Sequence, residues 1–203
     1  MMSLSPSQGE EIVRYARKVI TCNFNDDKPD VPSVLTDIFA EARGVFVTLT
    51  RHPSHELRGC IGFPEPVFPL GTAVERAALS AALDDPRFPN VTAGEMPGLL
   101  VEVSVLTKPV IVAAADPREY PSKVVVGRDG LIAEKDLARG LLLPQVPIEW
   151  GWDAEEFLSH TCTKAGLPPT AWLDRGFKLY SFTAQVFSEK TPAGQVFEKD
   201  ITH

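Results

Sequence analysis

Apolar residues near the start of the chain recur at helical spacing. Ile12, Tyr15, Ala16, Val19 and Ile20 fall at i, i+3, i+4, i+7 and i+8, with Glu10, Glu11, Arg14, Arg17 and Lys18 on their flanks. Ser5-Pro6-Ser7-Gln8 precedes them with a capping hydroxyl, a proline at the first helical position and a glutamine at the capping-box position, so a helix opens there. After a polar turn, Val34, Leu35, Ile38, Phe39 and Ala42 predict a second short helix, with Gly44 as its C-cap. From Val45 the period falls to two. Residues 45–50 are β-branched and aromatic, and a polar loop, 51–56, leads into a second strand, 57–62. Thr72 to Glu75 has a capping-box pattern opening a helix to about Leu83, which Asp84-Asp85-Pro86 stops, and residues 99–106 alternate as a third strand.

The same order of elements is predicted again. Residues 123–127 and 130–133 flank a hairpin signal at Asp129-Gly130, and residues 140–143 are a further extended piece. Asp153 with Glu156 caps a helix whose buried stripe is Phe157, Leu158, Thr161, Cys162 and Ala165, closed by Gly166. One long strand then runs from Phe177 to Phe187, and the tail after Ser188 is polar and expected to fray. Two strand-strand-helix-strand units, 45–107 and 123–187, follow the N-terminal helices at 5–44. They predict an α+β fold of two unequal lobes, with antiparallel or mixed sheets and helices packed on one face of each.

Composition narrows the function classes. Twenty Lys and Arg against 27 Asp and Glu give a net charge of −7, which works against general nucleic-acid binding. No apolar run is long enough to span a bilayer, and the N-terminal segment lacks the pattern of a secretory signal. With three cysteines far apart in sequence, free thiols and a cytoplasmic location are expected. The phosphate-loop, dinucleotide and serine-elbow motifs are absent, so no cofactor is expected; the metal-ligand spacing of His52 and His55 is weak, and no metal is expected either.

The chemistry concentrates at Leu57-Arg58-Gly59-Cys60-Ile61-Gly62. Strand alternation puts Arg58, Cys60 and Gly62 on one face, where a guanidinium beside a thiol favours thiolate. Gly59 and Gly62 permit a ligand or another backbone to approach closely. Equally, free cysteines are often small core residues, and strand glycines often mark bulges. His52 and His55, in the preceding loop, are candidate bases for a nucleophilic Cys60. Trp150, Trp152 and Trp172 bracket the second unit's helix, as core residues or as an interface anchor.

The hexapeptide resembles the hallmark motif of the AMMECR family, and residues 44–49, 85–88, 140–146 and 150–168 look like the same family, so the resemblance covers nearly the whole chain. Phe63 departs from it, standing where many relatives carry Thr or Tyr. The resemblance implies a single AMMECR-type domain over 1–203, with the hexapeptide near a cleft between lobes. It implies no settled activity, a regulatory role, and partners among Memo-like and radical SAM proteins of the AmmeMemoRadiSam system. The expectation is therefore a binding or accessory protein whose cleft, lined by Arg58, Gly59, Cys60 and Gly62, takes an anionic small molecule or a partner's peptide, with Arg58 as the clamp. The alternative is a cysteine enzyme in which Cys60 attacks, His52 or His55 takes its proton, and backbone amides at 59–62 hold the oxyanion.

Overall fold

The computed structural model describes residues 3–200; the first two residues of the amino-terminal segment and the last three of the tail lie outside them. In chain order the elements are α1 (Pro6–Asn23), α2 (Thr36–Ala40), β1 (Val45–Arg51), β2 (Leu57–Phe63), α3 (Leu70–Leu83), β3 (Leu99–Leu106), β4 (Val110–Ile111), α4 (Tyr120–Lys123), β5 (Gly130–Lys135), β6 (Ala138–Leu142), α5 (Gln145–Trp150), α6 (Ala154–Lys164), β7 (Lys178–Phe182), β8 (Ala184–Glu189) and β9 (Val196–Lys199). They form an α+β fold with two sheets, in the orders β2-β1-β3-β8-β9 and β4-β7-β5-β6. Two compact units result. One is the chain up to Leu106 with Gln185–Lys199, and the other is Thr107–Ala184.

In the first unit, α1 opens on the expected capping box: Ser5 Oγ accepts from the Gln8 N–H, and the Gln8 side chain accepts from the Ser5 N–H. Its apolar stripe is buried against the sheet together with that of α3. Alternation along β1 and β3 supplies the other half of this core, Val45, Val47, Leu49, Leu99, Val101, Val103 and Val105, all nearly inaccessible. Each large side chain buried there contributes about 1.5–3 kcal/mol. The face that α3 turns inward is rich in alanine, with Ala73, Ala77, Ala78, Ala81 and Ala82 buried, and alanines let helix and sheet backbones come close.

Two helix boundaries differ from expectation. The second helix ends at Glu41, whose extended backbone stops it before Gly44 is reached. Gly44 is instead a crowding site, where a Cβ would lie 2.5 Å from the Pro64 carbonyl oxygen. Helix α3 starts at Leu70, behind Pro69, so Thr72 lies inside the first turn and caps nothing. Glu75, freed from the predicted capping box, accepts the Tyr15 hydroxyl hydrogen bond at 2.5 Å.

In the second unit, α6 starts on the predicted Asp153–Glu156 capping box and buries Phe157, Leu158, Thr161 and Cys162. Residues 124–129 form no strand, and Asp129-Gly130 is not a hairpin turn. The Asp129 carboxylate is buried and accepts from the Val125 N–H and from the Arg128 side chain, closing a loop instead. The hairpin falls at Asp136-Leu137, between paired Lys135 and Ala138, with Asp136 at φ 54°. The proline-broken run after β6 forms α5, because Pro144 and Pro147 stand at its first turn, where backbone N–H groups have no intrahelical acceptor.

The largest correction concerns the strand predicted from Phe177 to Phe187. It is two strands serving different sheets: β7 pairs β4 and β5, whereas β8 pairs β9. At the break, Thr183 exchanges backbone and hydroxyl hydrogen bonds with Thr107. The tail is ordered through Lys199, since β9 pairs with β8 from Val196 to Lys199.

Candidate functional site

Strand β2 is the edge of the five-stranded sheet, which leaves one row of its backbone groups without a strand partner. At Cys60 that row is covered by the segment following α3. The Asp85 carboxylate, 4% exposed, accepts from the Cys60 N–H at 2.9 Å and from the Arg87 N–H at 3.1 Å. Arg87 returns the contact: Nε and Nη2 donate to Asp85 at 2.9 and 2.7 Å, and Nη2 also donates to the Cys60 carbonyl at 3.2 Å. This hydrogen bonding, with Arg87 first, holds the Asp85 carboxyl well below the usual carboxylate range. The Arg87 guanidinium lies 5.5 Å from the centroid of the Phe88 ring, and its side chain remains 53% exposed.

The predicted neighbour of Cys60 is Arg58, and the register separates them. Leu49 pairs with Gly59 but Thr50 pairs with Leu57, so Arg58 is the extra residue of a bulge. Cys60 and Leu57 thus stand opposite Thr48 and Thr50, while Arg58 and Gly59 take the other side, where Gly59 faces α3. A period of two breaks at a bulge, and nothing local in the sequence marks where. Arg58 is buried at 2% exposure, with Nε and Nη2 donating to the two oxygens of Glu95 at 3.1 and 3.2 Å. Glu95 also accepts from the Thr92 N–H and is held below its ordinary value, chiefly by Arg58.

The glycines are explained by the chain itself. A Cβ on Gly59 would lie 2.0 Å from the Ala81 carbonyl oxygen of α3, and one on Gly62 would lie 2.3 Å from the Val45 carbonyl oxygen and 2.4 Å from the Phe46 ring. The close approach expected of a ligand is made by the fold's own backbone and side chains.

Cys60 is half-buried, and its Sγ accepts a hydrogen bond from the Thr48 hydroxyl at 3.3 Å. Among the described residues neither His52 nor His55 bonds to it. Both stand in the turn between β1 and β2, where the His52 N–H donates to the Gly98 carbonyl. His55 lines a separate cavity of about 320 Å3 with Thr50, Glu102, Ser188, Phe197 and Lys199, in which Lys199 and Glu102 pair at 2.5 Å. The Cys60 N–H is already given to Asp85, so it is not a free oxyanion donor. Among the described residues no three His, Cys, Asp or Glu side chains gather to hold a metal ion.

Sequence reasoning misses Arg87, Asp85, Glu95 and Thr48. Asp85 reads along the chain as a helix stop or, with Asp84, as a carboxylate pair for a cation, within a family-like segment, and the Asp-Pro-Arg spacing that lets it bond the Arg87 N–H is the signal for its actual role. Cys162 is sealed in the second core as expected, and burial raises its thiol to about 11.

Comparison with known proteins agrees with this framework. The chain is 53% identical to protein MJ0810 of Methanocaldococcus jannaschii, over 99% of this chain and all of that one. It is 51% identical to protein PYRAB00100 of Pyrococcus abyssi, again over 99% and 100%. The crystal structure of the uncharacterized protein PH0010 from Pyrococcus horikoshii matches with a TM-score of 0.85 at 50% identity, covering 97% of this chain and 98% of that one. No helix among the described residues is long and apolar enough to cross a membrane. With a family model matching residues 13–187 and relatives aligned along almost its full length, the chain belongs to the AMMECR1 family, whose relatives here carry no named activity.

Proposed function

We propose that this protein is a binding or accessory module, and that its ligand-contacting element is the Leu57–Gly62 strand together with the Asp85–Phe88 segment strapped along its edge. The ligand class is an anionic small molecule or a carboxylate-bearing peptide segment. The observation that carries the reading is the state of Arg87. Its guanidinium is fixed by Asp85, Cys60 and Phe88, yet among the described residues both N–H groups of Nη1 have no protein acceptor, and the side chain is half exposed. A pre-oriented guanidinium with unspent donors suits a carboxylate or phosphate oxygen. Arg58, the clamp expected from sequence, is buried with Nε and Nη2 given to Glu95, so it has no exposed face for a ligand and serves as a brace. An accessory role beside Memo-like and radical SAM proteins, implied by the family resemblance, fits such a module.

The test is a titration of the 15N-labelled protein with sodium phosphate and with a tripeptide bearing a free C-terminal carboxylate. Saturable shifts at Cys60, Gly62 and Arg87, lost in Arg87→Ala and partly kept in Arg87→Lys, are the expected result. Shifts that are absent, or that persist unchanged in Arg87→Ala, would overturn the reading.

One observation favours a second reading, a cysteine-dependent reaction: the Thr48 hydroxyl donates to the half-buried Cys60 Sγ at 3.3 Å, a contact that orients the sulfur on its strand. This reading expects Thr48→Val to slow alkylation of Cys60 while leaving Cys22, half-buried in the last turn of α1, unaffected; equal rates in both proteins would dismiss it.

A further inference from the structure

The second unit presents an aromatic stack. The ring of His160 lies 3.8 Å from that of Trp152 with an interplanar angle of 8°, and Trp152 lies 6.1 Å from Trp150 at 17°. Trp150 ends the row and is 69% exposed, although tryptophan is among the side chains that gain most from burial. Its position is built in. Helix α5 ends at Trp150, Gly151 turns the chain in the left-handed region at φ 66°, and Asp153 then starts α6. Two indoles are thereby held on either side of a sharp turn, with His160 on α6 completing the stack.

The charge along the turn and the start of α6 is one-sided, and the first cation beyond it is Lys164 in the last turn of α6. Residues 148–160 hold Glu149, Asp153, Glu155 and Glu156 and no Lys or Arg. Asp153 and Glu156 serve the capping box, while Glu149 and Glu155 are exposed and make no ion pair among the described residues. A flat π surface adjoining the unpaired Glu149 in sequence, with the unpaired Glu155 in the first turn of α6, complements a planar cation. Guanidinium matches both features, stacking on indole and pairing with carboxylate, and it is less strongly hydrated than ammonium.

We propose that the Trp150–Trp152–His160 stack is a docking surface for an arginine-containing basic segment of a partner protein. An arginine stacks on the outer face of Trp150, and Glu149 and Glu155 take the flanking positive charges.

The experiment uses a capped glycine-arginine repeat peptide, with lysine and glutamate versions of the same length, titrated against the full chain by calorimetry and by tryptophan fluorescence. Expected is saturable binding that weakens with salt, with arginine tighter than lysine and no binding of the glutamate peptide. Trp150→Ala, at an exposed position that leaves folding intact, should weaken the arginine peptide by about five- to tenfold. Glu149→Gln combined with Glu155→Gln should weaken it by a smaller factor and flatten the salt dependence. Unchanged affinity in Trp150→Ala overturns the proposal. So does binding of a single-stranded oligonucleotide in place of the peptide, or sedimentation showing that Trp150 holds two copies of this chain together.

Discussion

Each unit of this protein contains a central strand flanked on either side by the next two strands in sequence, with a helix entering after the second: β2-β1-β3 with α3, and β6-β5-β7 with α6. The likeness reaches single residues. Gly59 of β2 lies under the Ala81 carbonyl near the end of α3, and Gly140 of β6 lies under the Ala165 amide at the end of α6, so each second strand carries a glycine where the helix backbone presses on it. The units part company beyond the helix. After α3 the chain returns to the strand edge with Asp85, Arg87 and Glu95, which occupy the Cys60 backbone and the Arg58 side chain. After α6 it continues into the stretch holding Trp172, which packs into the second core. The thiols differ accordingly, Cys60 standing half-buried on its strand and Cys162 lying sealed beneath its helix. The shared frame meets the demands of packing, and the segment after the helix is where the two units differ.

The thiol contrast predicts the largest effect. With its pKa near 11, Cys162 holds about one part in a thousand as thiolate at pH 8, before steric exclusion is counted. Iodoacetamide followed by peptide mapping should therefore modify Cys60 in the folded protein and Cys162 only on unfolding. Comparable consumption of the two would erase the distinction between the units.

Next come the paired glycines. Gly59→Ala and Gly140→Ala each force a Cβ to within 2.0–2.3 Å of backbone atoms that have little room to give. Each should cost about 3 kcal/mol or more in urea unfolding. A tolerated alanine at either site would show that the equivalence is one of element order alone.

A smaller loss is expected at the strap. Asp85→Asn keeps the shape but removes charge-assisted hydrogen bonds, which costs about 2 kcal/mol at neutral pH. The folded carboxyl lies below its ordinary value, so its stabilisation is complete above the unfolded carboxylate range near 4 and is lost as pH falls from there through the folded value. The variant should lose that part of the acid dependence. An unchanged acid limb in a pH series of unfolding curves would argue that Asp85 is not the group responsible.

The smallest effect separates the helix starts. Helix α6 has a side-chain cap and α3 has none, so Asp153→Ala should cost about 1 kcal/mol and Thr72→Ala less than about 0.5 kcal/mol, measured by thermal unfolding. Equal losses would mean that Thr72 contributes in a way the α3 start does not show.

Much of this frame was legible in the residues because it rests on short-range rules. The Ser5–Gln8 and Asp153–Glu156 boxes, the apolar stripe of α1, the two strands around the 52–56 turn and the strand from Leu99 follow from hydrogen-bonding capacity and hydrophobic period within a few neighbours. The family resemblance was likewise carried by a local hexapeptide.

Only the tertiary structure decided the features set by partners distant in sequence. A one-residue bulge turned Arg58 away from Cys60, because register depends on the opposing strand, and a single extra residue reverses every side chain beyond it. Arg87 reached Cys60 across 27 positions once α3 had doubled the chain back along the sheet edge. The run through Thr183 kept one uninterrupted β pattern, yet its halves joined different sheets, since alternation states which face is apolar and not which strand lies alongside. Local periodicity determined the elements of this protein; which side chains meet at its candidate site was left to the long-range pairing of strands.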